Sequence, residues 1–320
     1  MAATSSETSP ADLAVSLSRP VLAARANERR TIRNRLGLLA PAVLVIGICG
    51  LVPLAIVLLY SLMQPAEYAG VIWGMPIPDA WINLLFERDL FSDELAPNFA
   101  YYTIFGRSVF MALMTTSLSL VIGFPTAYFI ATRSPKTRNL LLFLVTIPFW
   151  TNLLIRTYSI MMILQDQGYL NMVLIKLGII DQPLQIMYTN FAVGYGLAYA
   201  YLPYMVLPLY ASMEKLDFRL VEAGYDLYAT RFQVLRRVII PLVKPGIIAG
   251  CILVFIPAIG DYIITTQLGG GNRMMFGTLI AQQFGPARNW PQGSALALGL
   301  MILVMIALLI YAKKAARSAS

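Results

Sequence analysis

Six long apolar stretches leave this chain few ways to fold. Each approaches the length of about 20 apolar residues that a helix needs to cross a membrane. A lipid interior offers no water to backbone N–H and C=O groups, so a crossing segment has to be helical or part of a closed barrel. Apolar residues make up 58% of the chain and charged residues only 12%, a balance outside that of ordinary soluble domains. The sequence therefore predicts an all-α polytopic membrane protein with six transmembrane helices. These spans are predicted at 38–63, 104–132, 140–164, 191–213, 246–267 and 293–312.

Lysine and arginine residues are concentrated in alternate connections between the spans. Six precede the first span, three lie in 133–138, six lie in 214–245 and three follow the last span, whereas the opposite connections hold five in all. Because cytoplasmic loops carry an excess of positive charge, both termini and the 214–245 loop are predicted to be cytoplasmic. This topology accounts for the net charge of +8, so we predict membrane lipid and no nucleic acid as a partner.

The same topology divides the chain into three parts. Residues 1–37 are polar and rich in arginine, and we predict a disordered cytoplasmic tail there. Residues 38–312 are predicted to form the transmembrane domain, which includes the helical 214–245 loop. Residues 313–320 are predicted to be a short cytoplasmic tail.

The outer connection 64–102 has the opposite charge balance. It contains six acidic residues and one arginine. An acidic outer face would concentrate cationic solutes, although a solvated loop that obeys the topology would have the same composition. The aromatic residues of this connection favour a packed or interfacial segment over a free coil. They are Trp73, Trp81, Phe86 and Phe91.

The residue patterns of the common enzyme sites are missing. The chain has no histidine, and therefore no imidazole base and no histidine-containing metal site. Cys49 and Cys251 lie in separate predicted spans and are interpreted as buried apolar residues. The sequence has no phosphate-binding loop of the Gly-x-x-x-x-Gly-Lys type, so energy from a nucleotide has to come from a partner protein. We predict no catalytic residue, no metal site and no cofactor in this chain.

The 214–245 loop is charged and helical in pattern. At about 100° per residue its apolar and charged residues separate onto two arcs, which predicts a short amphipathic helix. One arc contains Leu220, Gly224, Leu227 and Tyr228, and the other contains Arg219, Glu222 and Asp226. Small residues at 223 and 224 would let another surface approach closely, and Pro241 and Pro245 are predicted to end any long helix before the next span. Two interpretations fit: a docking surface for another protein, or a helix lying on the bilayer.

A carboxylate inside a span is a candidate pathway residue, because an ionisable group in the centre of a membrane helix costs about 2.5–3.5 kcal/mol. Asp261 follows Gly260 in the fifth predicted span, where it could meet a cationic amine. The alternatives are that it pairs with an arginine or caps a broken helix.

Other side chains extend this candidate pathway. Gln165 and Asp166, at the outer end of the third span, are predicted to receive solute. Arg156 in the same span is expected to extend its charged end to the membrane surface or to pair with Asp166. Aromatic rings could contact an ammonium group, although rings in spans also serve as packing residues. The candidates are Trp150, Tyr158, Tyr199, Tyr201 and Tyr204.

The loop resembles a signature found in permease subunits of binding-protein-dependent ABC importers. The residues that carry this resemblance are Glu222-Ala223-Gly224, Val238, Ile240 and Pro241. The signature differs here in that Gly224 replaces its second Ala, and Tyr228 occupies the position of its later Gly. That Gly permits a break between two short helices, so Tyr228 leaves open whether this chain bends in the same way.

A wider resemblance, over about residues 40 to 312, is to the permeases of putrescine and spermidine importers, and opine and other small-solute permeases are similar. The matching segments are 148–151, 154–156, 178–184, 199–208, 246–250, 257–261 and 268–270.

This resemblance implies a permease subunit of the bacterial inner membrane that imports a small cationic solute, with polyamines as the expected substrate. It implies as partners a periplasmic binding protein, a second and different permease subunit, and two ATPase subunits that bind ATP and Mg²⁺. The residues implied at the ATPase contact are Glu222, Ala223, Gly224, Asp226, Tyr228 and Pro241. The alternatives are a permease for opines, amino-acid-like or other small solutes, and an ion-coupled secondary transporter.

Overall fold

The computed structural model describes residues 39–74, 76–88 and 95–319. The predicted N-terminal tail, 1–37, and Phe91 lie outside these residues. The chain separates into two units, Met1–Leu59 and Tyr60–Ser320. The helices are α1 (Leu39–Tyr60), α2 (Asp79–Leu85), α3 (Phe99–Ala131), α4 (Pro135–Trp150), α5 (Leu153–Leu164), α6 (Tyr169–Lys176), α7 (Asn190–Met213), α8 (Arg219–Asp226), α9 (Arg231–Val234), α10 (Ile240–Gly260), α11 (Ile263–Gly269), α12 (Phe276–Phe284) and α13 (Trp290–Ala319).

Helix α1 corresponds to the first predicted span. It has 22 residues, and its leucine, valine and isoleucine side chains are exposed, as expected for a helix that faces lipid. Cys49, which was expected to be buried, is exposed on this helix, and Cys251 on α10 is half-buried.

The outer segment that follows is folded. Strand β1 (Gln64–Pro65) pairs with β2 (Val71–Ile72), and β3 (Phe86–Arg88) pairs with β4 (Leu95–Pro97), both antiparallel. Helix α2 connects the two hairpins, and the Trp81 indole on it donates a hydrogen bond to Ser61 Oγ at 3.1 Å. The predicted packed segment is therefore present around Trp81, whereas Trp73 is exposed.

Helices α3, α7 and α10 pack against one another and form the main core. Gly246 and Gly250 lie four residues apart on α10 and let α7 approach closely, as small residues do in membrane helix pairs. A Cβ atom on Gly246 would lie 2.7 Å from the Pro208 carbonyl oxygen and against the Ser212 side chain. A Cβ atom on Gly250 would lie 2.7 Å from Met205 Sδ. A larger side chain at Gly246 would require α7 to move, whereas at Gly250 the Met205 side chain would have to move first.

The third predicted span is not one straight helix. Helices α4 and α5–α6 meet at an angle of 94°. Helix α4 ends because Pro148 and the extended backbone of Thr151 interrupt the helical hydrogen bonds. Helix α5 then begins at a new cap, where the Asn152 side chain accepts a hydrogen bond from the Leu154 N–H at 2.8 Å. The described residues contain five helices long and apolar enough to span a membrane, or six if this bent pair is one span.

The expected ion pair between Arg156 and Asp166 does not form. The Arg156 guanidinium instead donates hydrogen bonds to the carbonyl oxygens of Pro148 and Thr151. These carbonyl groups lie at the end of α4, where the regular helical pattern stops and an acceptor needs another donor. The arginine therefore stabilises the bend.

The prediction that Pro241 and Pro245 end the helix is wrong. The chain is helical from Arg231 to Gly260, with a π-helical segment over Leu235–Ile239 in which the Ile240 N–H donates to the Leu235 carbonyl. This wider turn changes the hydrogen-bond register directly before Pro241, and spanning helices tolerate proline when such local adjustments occur. The helix ends at Gly260, and α11 follows after a break at Asp261, so the predicted end of the fifth span at 267 is too late.

The last helix, α13, is longer than predicted. It begins at Trp290 and continues to Ala319, so the backbone of residues 313–319, predicted as a tail, is helical. The apolar part that is long enough to span a membrane is Trp290–Lys313.

Candidate functional site

The 214–245 loop contains two short helices, α8 and α9, separated by a tight turn. Tyr228 has φ of +58°, the left-handed conformation that glycine adopts most easily. The Tyr228 N–H donates to the Tyr225 carbonyl at 2.9 Å and the Ala229 N–H donates to the Gly224 carbonyl at 3.1 Å, which is the hydrogen-bond pattern of a Schellman motif. The break therefore forms with tyrosine in place of glycine.

Helix α9 has its own start signal. The Thr230 side chain accepts a hydrogen bond from the Gln233 N–H at 3.3 Å, and the Gln233 side chain accepts one from the Thr230 N–H at 2.8 Å. This capping box fixes where α9 begins after the turn. The sequence contained this signal, although our interpretation of the loop did not use it.

The two faces of α8 differ from the predicted arcs. Val221 is buried, and a Cβ atom on Gly224 would lie 3.2 Å from the Val234 side chain, so Gly224 sets the spacing between α8 and α9 within this chain. Leu227 is exposed and Tyr228 is 96% exposed, so most of the predicted apolar arc faces outward. The other residues implied at the ATPase contact are also exposed: Glu222, Ala223, Asp226 and Pro241.

Contacts at its base connect the loop to the ends of three spanning helices. The Arg138 guanidinium on α4 lies 3.5 Å from the Glu214 carboxylate, which follows α7. The Phe218 ring lies 6.4 Å from the Tyr128 ring on α3. The segment that leads into α8 is therefore in contact with α3 and α4 and continues directly from α7. Sequence reasoning missed the Arg138 contact, because its partner lies in a distant segment.

Asp261 lies in the break between α10 and α11. Its Oδ1 accepts hydrogen bonds from the N–H groups of Ile264 at 2.9 Å and Thr265 at 3.2 Å, and its Oδ2 accepts one from the Tyr201 hydroxyl at 2.9 Å. Its exposure is 8%. The geometry is therefore that of a residue capping a broken helix, which was the alternative interpretation. A role in lining a pathway stays a prediction.

The predicted aromatic residues fall into separate places. The rings of Tyr201 and Tyr204 lie 6.0 Å apart, and the Tyr204 ring contacts Phe149 edge-on at 4.8 Å, so two of them join Asp261. The remaining predicted pathway residues lie outside this cluster and are exposed: Trp150, Tyr158, Asp166 and Tyr199. Among the described residues, no group of three or more cysteine, aspartate or glutamate side chains could hold a metal ion.

These features define a class of protein: a multi-span α-helical membrane protein with a structured, exposed loop anchored on its spanning helices. Residues 119–316 match the family described as "Binding-protein-dependent transport system inner membrane component", and the chain belongs to this family. It is therefore a multi-pass inner-membrane component of a transport system and not an enzyme, as predicted. The assignment gives no support to the alternative of an ion-coupled secondary transporter.

Several curated relatives are similar over most of the chain. The spermidine/putrescine transport system permease protein PotB of Escherichia coli (strain K12) is 45% identical over 232 residues, which is 72% of this chain and 84% of that protein. The protein of the same name from Haemophilus influenzae is 46% identical over 211 residues, which is 66% of this chain and 74% of that protein. The predicted resemblance to polyamine permeases is confirmed.

Solved structures share the fold. The crystal structure of a bacterial ABC transporter that imports the acidic polysaccharide alginate contains a chain with a TM-score of 0.63 and 16% identity, covering 92% of this chain and 99% of that chain. A chain of the MetNI methionine ABC transporter has a TM-score of 0.51 and 17% identity, covering 68% and 95%. The predicted all-α fold of an ABC importer permease is confirmed.

Proposed function

We propose that this chain forms part of the pathway by which a polyamine, putrescine or spermidine, crosses the bacterial inner membrane in an ATP-driven importer. The observation that carries the proposal is the 45% identity to the spermidine/putrescine permease over 72% of the chain. This similarity favours a polyamine over opines or amino-acid-like solutes.

The proposed assembly has four kinds of contact. A periplasmic binding protein delivers solute to the outer face, a second and different permease subunit completes the pathway, two cytoplasmic ATPase subunits bind ATP and Mg²⁺, and lipid surrounds the spans. Both termini of this chain and its 214–245 loop lie in the cytoplasm. The charge distribution of the connections supports this orientation.

Coupling to the ATPase is proposed at the outward surface of α8. Glu222, Ala223 and Asp226 are exposed there beside the apolar Leu227 and Tyr228. Exposed apolar side chains beside charged ones favour contact with another protein over exposure to water. Closing of the ATPase pair on ATP would move α8. Its anchors at Phe218 and Glu214 would then shift the spanning helices between two packings, as alternating access requires.

The pathway is proposed to pass the break at Asp261. In the conformation described, the carboxylate binds the Tyr201 hydroxyl and the start of α11. An ammonium group that reached Oδ2 would replace the Tyr201 hydroxyl as its partner, while Oδ1 would continue to cap α11. Tyr204, beside Tyr201, would supply a ring face to the same cation.

The test is import by the complete transporter in proteoliposomes with internal ATP. We expect uptake of labelled spermidine or putrescine that stops when the ATPase is replaced by a variant unable to hydrolyse ATP. Uptake blocked by opines or amino acids but not by polyamines would contradict the proposed substrate. Uptake that continues without the ATPase would contradict the proposed energy source.

A further inference from the structure

The outer half of α7 has an unusual exposed face. Between 191 and 200, the only exposed residues are Phe191, Tyr195 and Tyr199, and every other residue is buried. Their exposed fractions are 63%, 42% and 41%. Since α-helical residues four positions apart lie on the same face, these side chains form one stripe, with steps of about 6 Å along the helix. We call this stripe the aromatic ladder.

The ladder differs from the faces that suit lipid. On α13, the exposed large side chains between 301 and 310 are all leucine, isoleucine or methionine. On the ladder all three are aromatic, and two carry hydroxyl groups. The hydroxyls of Tyr195 and Tyr199 form no hydrogen bond with another residue in the described part of the chain. These two hydroxyl groups are therefore available to a polar partner from outside this chain, such as water, a lipid headgroup or a solute.

The other helices cover most of α7 but leave the aromatic ladder open. Helix α7 is the most buried of the described spanning helices, because α3, α10, α5 and α11 pack around it. The ladder is the part of its outer half that these helices leave open. The rings of Phe191 and Tyr195 are nearly parallel, with 15° between their planes and 6.5 Å between their centres, so the two rings form a continuous surface.

An exposed carboxylate, Asp166, follows the end of α5, whose last residue shares a buried cluster with the start of α7. Leu164, at the end of α5, belongs to the same buried cluster as Ala192 and Val193 at the start of α7, and Asp166 follows two residues later and is exposed. The Asn171 amide donates to the carbonyl oxygens of both Asp166 and Leu184, which ties this acidic turn to the segment that leads into α7. The turn that carries Asp166 is therefore connected to the chain segment that precedes the ladder.

We infer that the aromatic ladder is a binding surface for the ammonium groups of an alkylamine moving through the transporter. Ring faces attract a cation, and tyrosine hydroxyls accept hydrogen bonds from N–H donors. Because the three rings follow one another along α7, a flexible amine could move along the helix by leaving one ring as it contacts the next. This inference rests on the proposed function. Residues 199 and 201 lie about 200° apart around the helix, so the ladder occupies another face of α7 than Tyr201. Phe191 and Tyr195 are thereby added as a contact surface separate from the Asp261 cluster.

The test measures binding of labelled spermidine to the complete transporter without its binding protein. Replacing a ladder residue with leucine, as in Tyr195→Leu or Tyr199→Leu, keeps apolar bulk and removes the ring. We expect the Kd to rise about tenfold for each, as expected for loss of a partly desolvated cation–π contact. Tyr195→Phe keeps the ring and should remain within about threefold of the original Kd. Phe110→Leu, at a 61% exposed position on α3, is the matched control and should leave the Kd unchanged.

Three results would overturn the inference. Unchanged binding in the leucine variants would indicate a face covered by lipid. Loss of the assembled complex in the leucine variants, with assembly kept in Tyr195→Phe, would indicate packing against the second subunit. The third result is that the unmodified complex imports spermidine with its binding protein present and yet binds none without it. That result would overturn the ladder as a binding surface and leave the proposed function standing. Failure of the unmodified complex to import any polyamine would instead overturn the proposed function.

Discussion

At the scale of single residues, Tyr228 combines strain with exposure. A left-handed backbone conformation destabilises a residue other than glycine by about 1 kcal/mol. The ring of Tyr228 is almost completely exposed, so its packing offsets little of this strain. The turn nevertheless forms because two backbone hydrogen bonds and the capping box of Thr230 fix the chain on both sides.

We expect Tyr228→Gly to stabilise the subunit by about 1 kcal/mol, since glycine adopts φ of +58° without strain. Leu227→Gly is the matched control. Leu227 is also exposed but has φ of −84°, so glycine there should destabilise by up to about 1 kcal/mol. Thermal unfolding of the purified protein in detergent measures both. Equal shifts for the two variants would show that the conformation of Tyr228 carries no strain.

Asp261 allows its capping role to be separated from its charge. Asp261→Ala removes the cap of α11 and leaves the Tyr201 hydroxyl without its acceptor, so we expect a loss of about 2–4 kcal/mol in stability. Asp261→Asn keeps an oxygen that can cap α11 and should cost less than half as much. Thermal unfolding distinguishes the two variants. If Asp261→Asn is stable but fails to import solute, the pathway role gains support; normal import by that variant would contradict it.

At the scale of helices, the crossing of α7 and α10 depends on two glycines. We expect Gly246→Ala to destabilise the protein by about 1–3 kcal/mol, because the added methyl group meets the Pro208 backbone and cannot be relieved by a side-chain rotation. Gly106→Ala on α3 is the control, since a Cβ atom there has no neighbour within 4 Å, and it should leave stability unchanged or slightly raised. Thermal unfolding of both variants checks this, and equal effects would contradict the close approach.

At the scale of the whole molecule, α8 is the element through which movement would enter from the cytoplasm. We expect Glu222→Lys to lower import about tenfold or more, because reversing a charge at a protein contact costs several kcal/mol. ATP hydrolysis and the thermal midpoint of the isolated subunit should change little, since Glu222 is exposed. Import and ATPase rates of the reconstituted transporter provide the measurement.

Glu67→Lys is the control for that experiment. Glu67 is also exposed but lies in the outer hairpin connection, and this substitution should leave coupling unchanged. Normal import by the Glu222 variant would remove the basis for assigning this residue to the ATPase contact.

Much of the architecture could be predicted because its signals are local. The length and hydropathy of each stretch were enough to indicate an all-α membrane protein, since lipid leaves the backbone few choices. The same signals failed at the third span, where Pro148, Asn152 and Arg156 together produce a bend of 94°. A hydropathy profile contains no information about which donor will satisfy a freed carbonyl group.

The candidate site divides in the same way. Residue types and spacing in the sequence alone identified the 214–245 loop, the acidic residue at 261 and the family resemblance. Folding determined what each side chain does: Asp261 binds Tyr201, which lies 60 positions away, Gly224 packs against Val234, and Tyr228 adopts a left-handed turn. These outcomes depend on partners brought together from distant segments, and on competition between backbone strain and hydrogen bonds, so they follow from the three-dimensional packing of the chain and not from its local pattern.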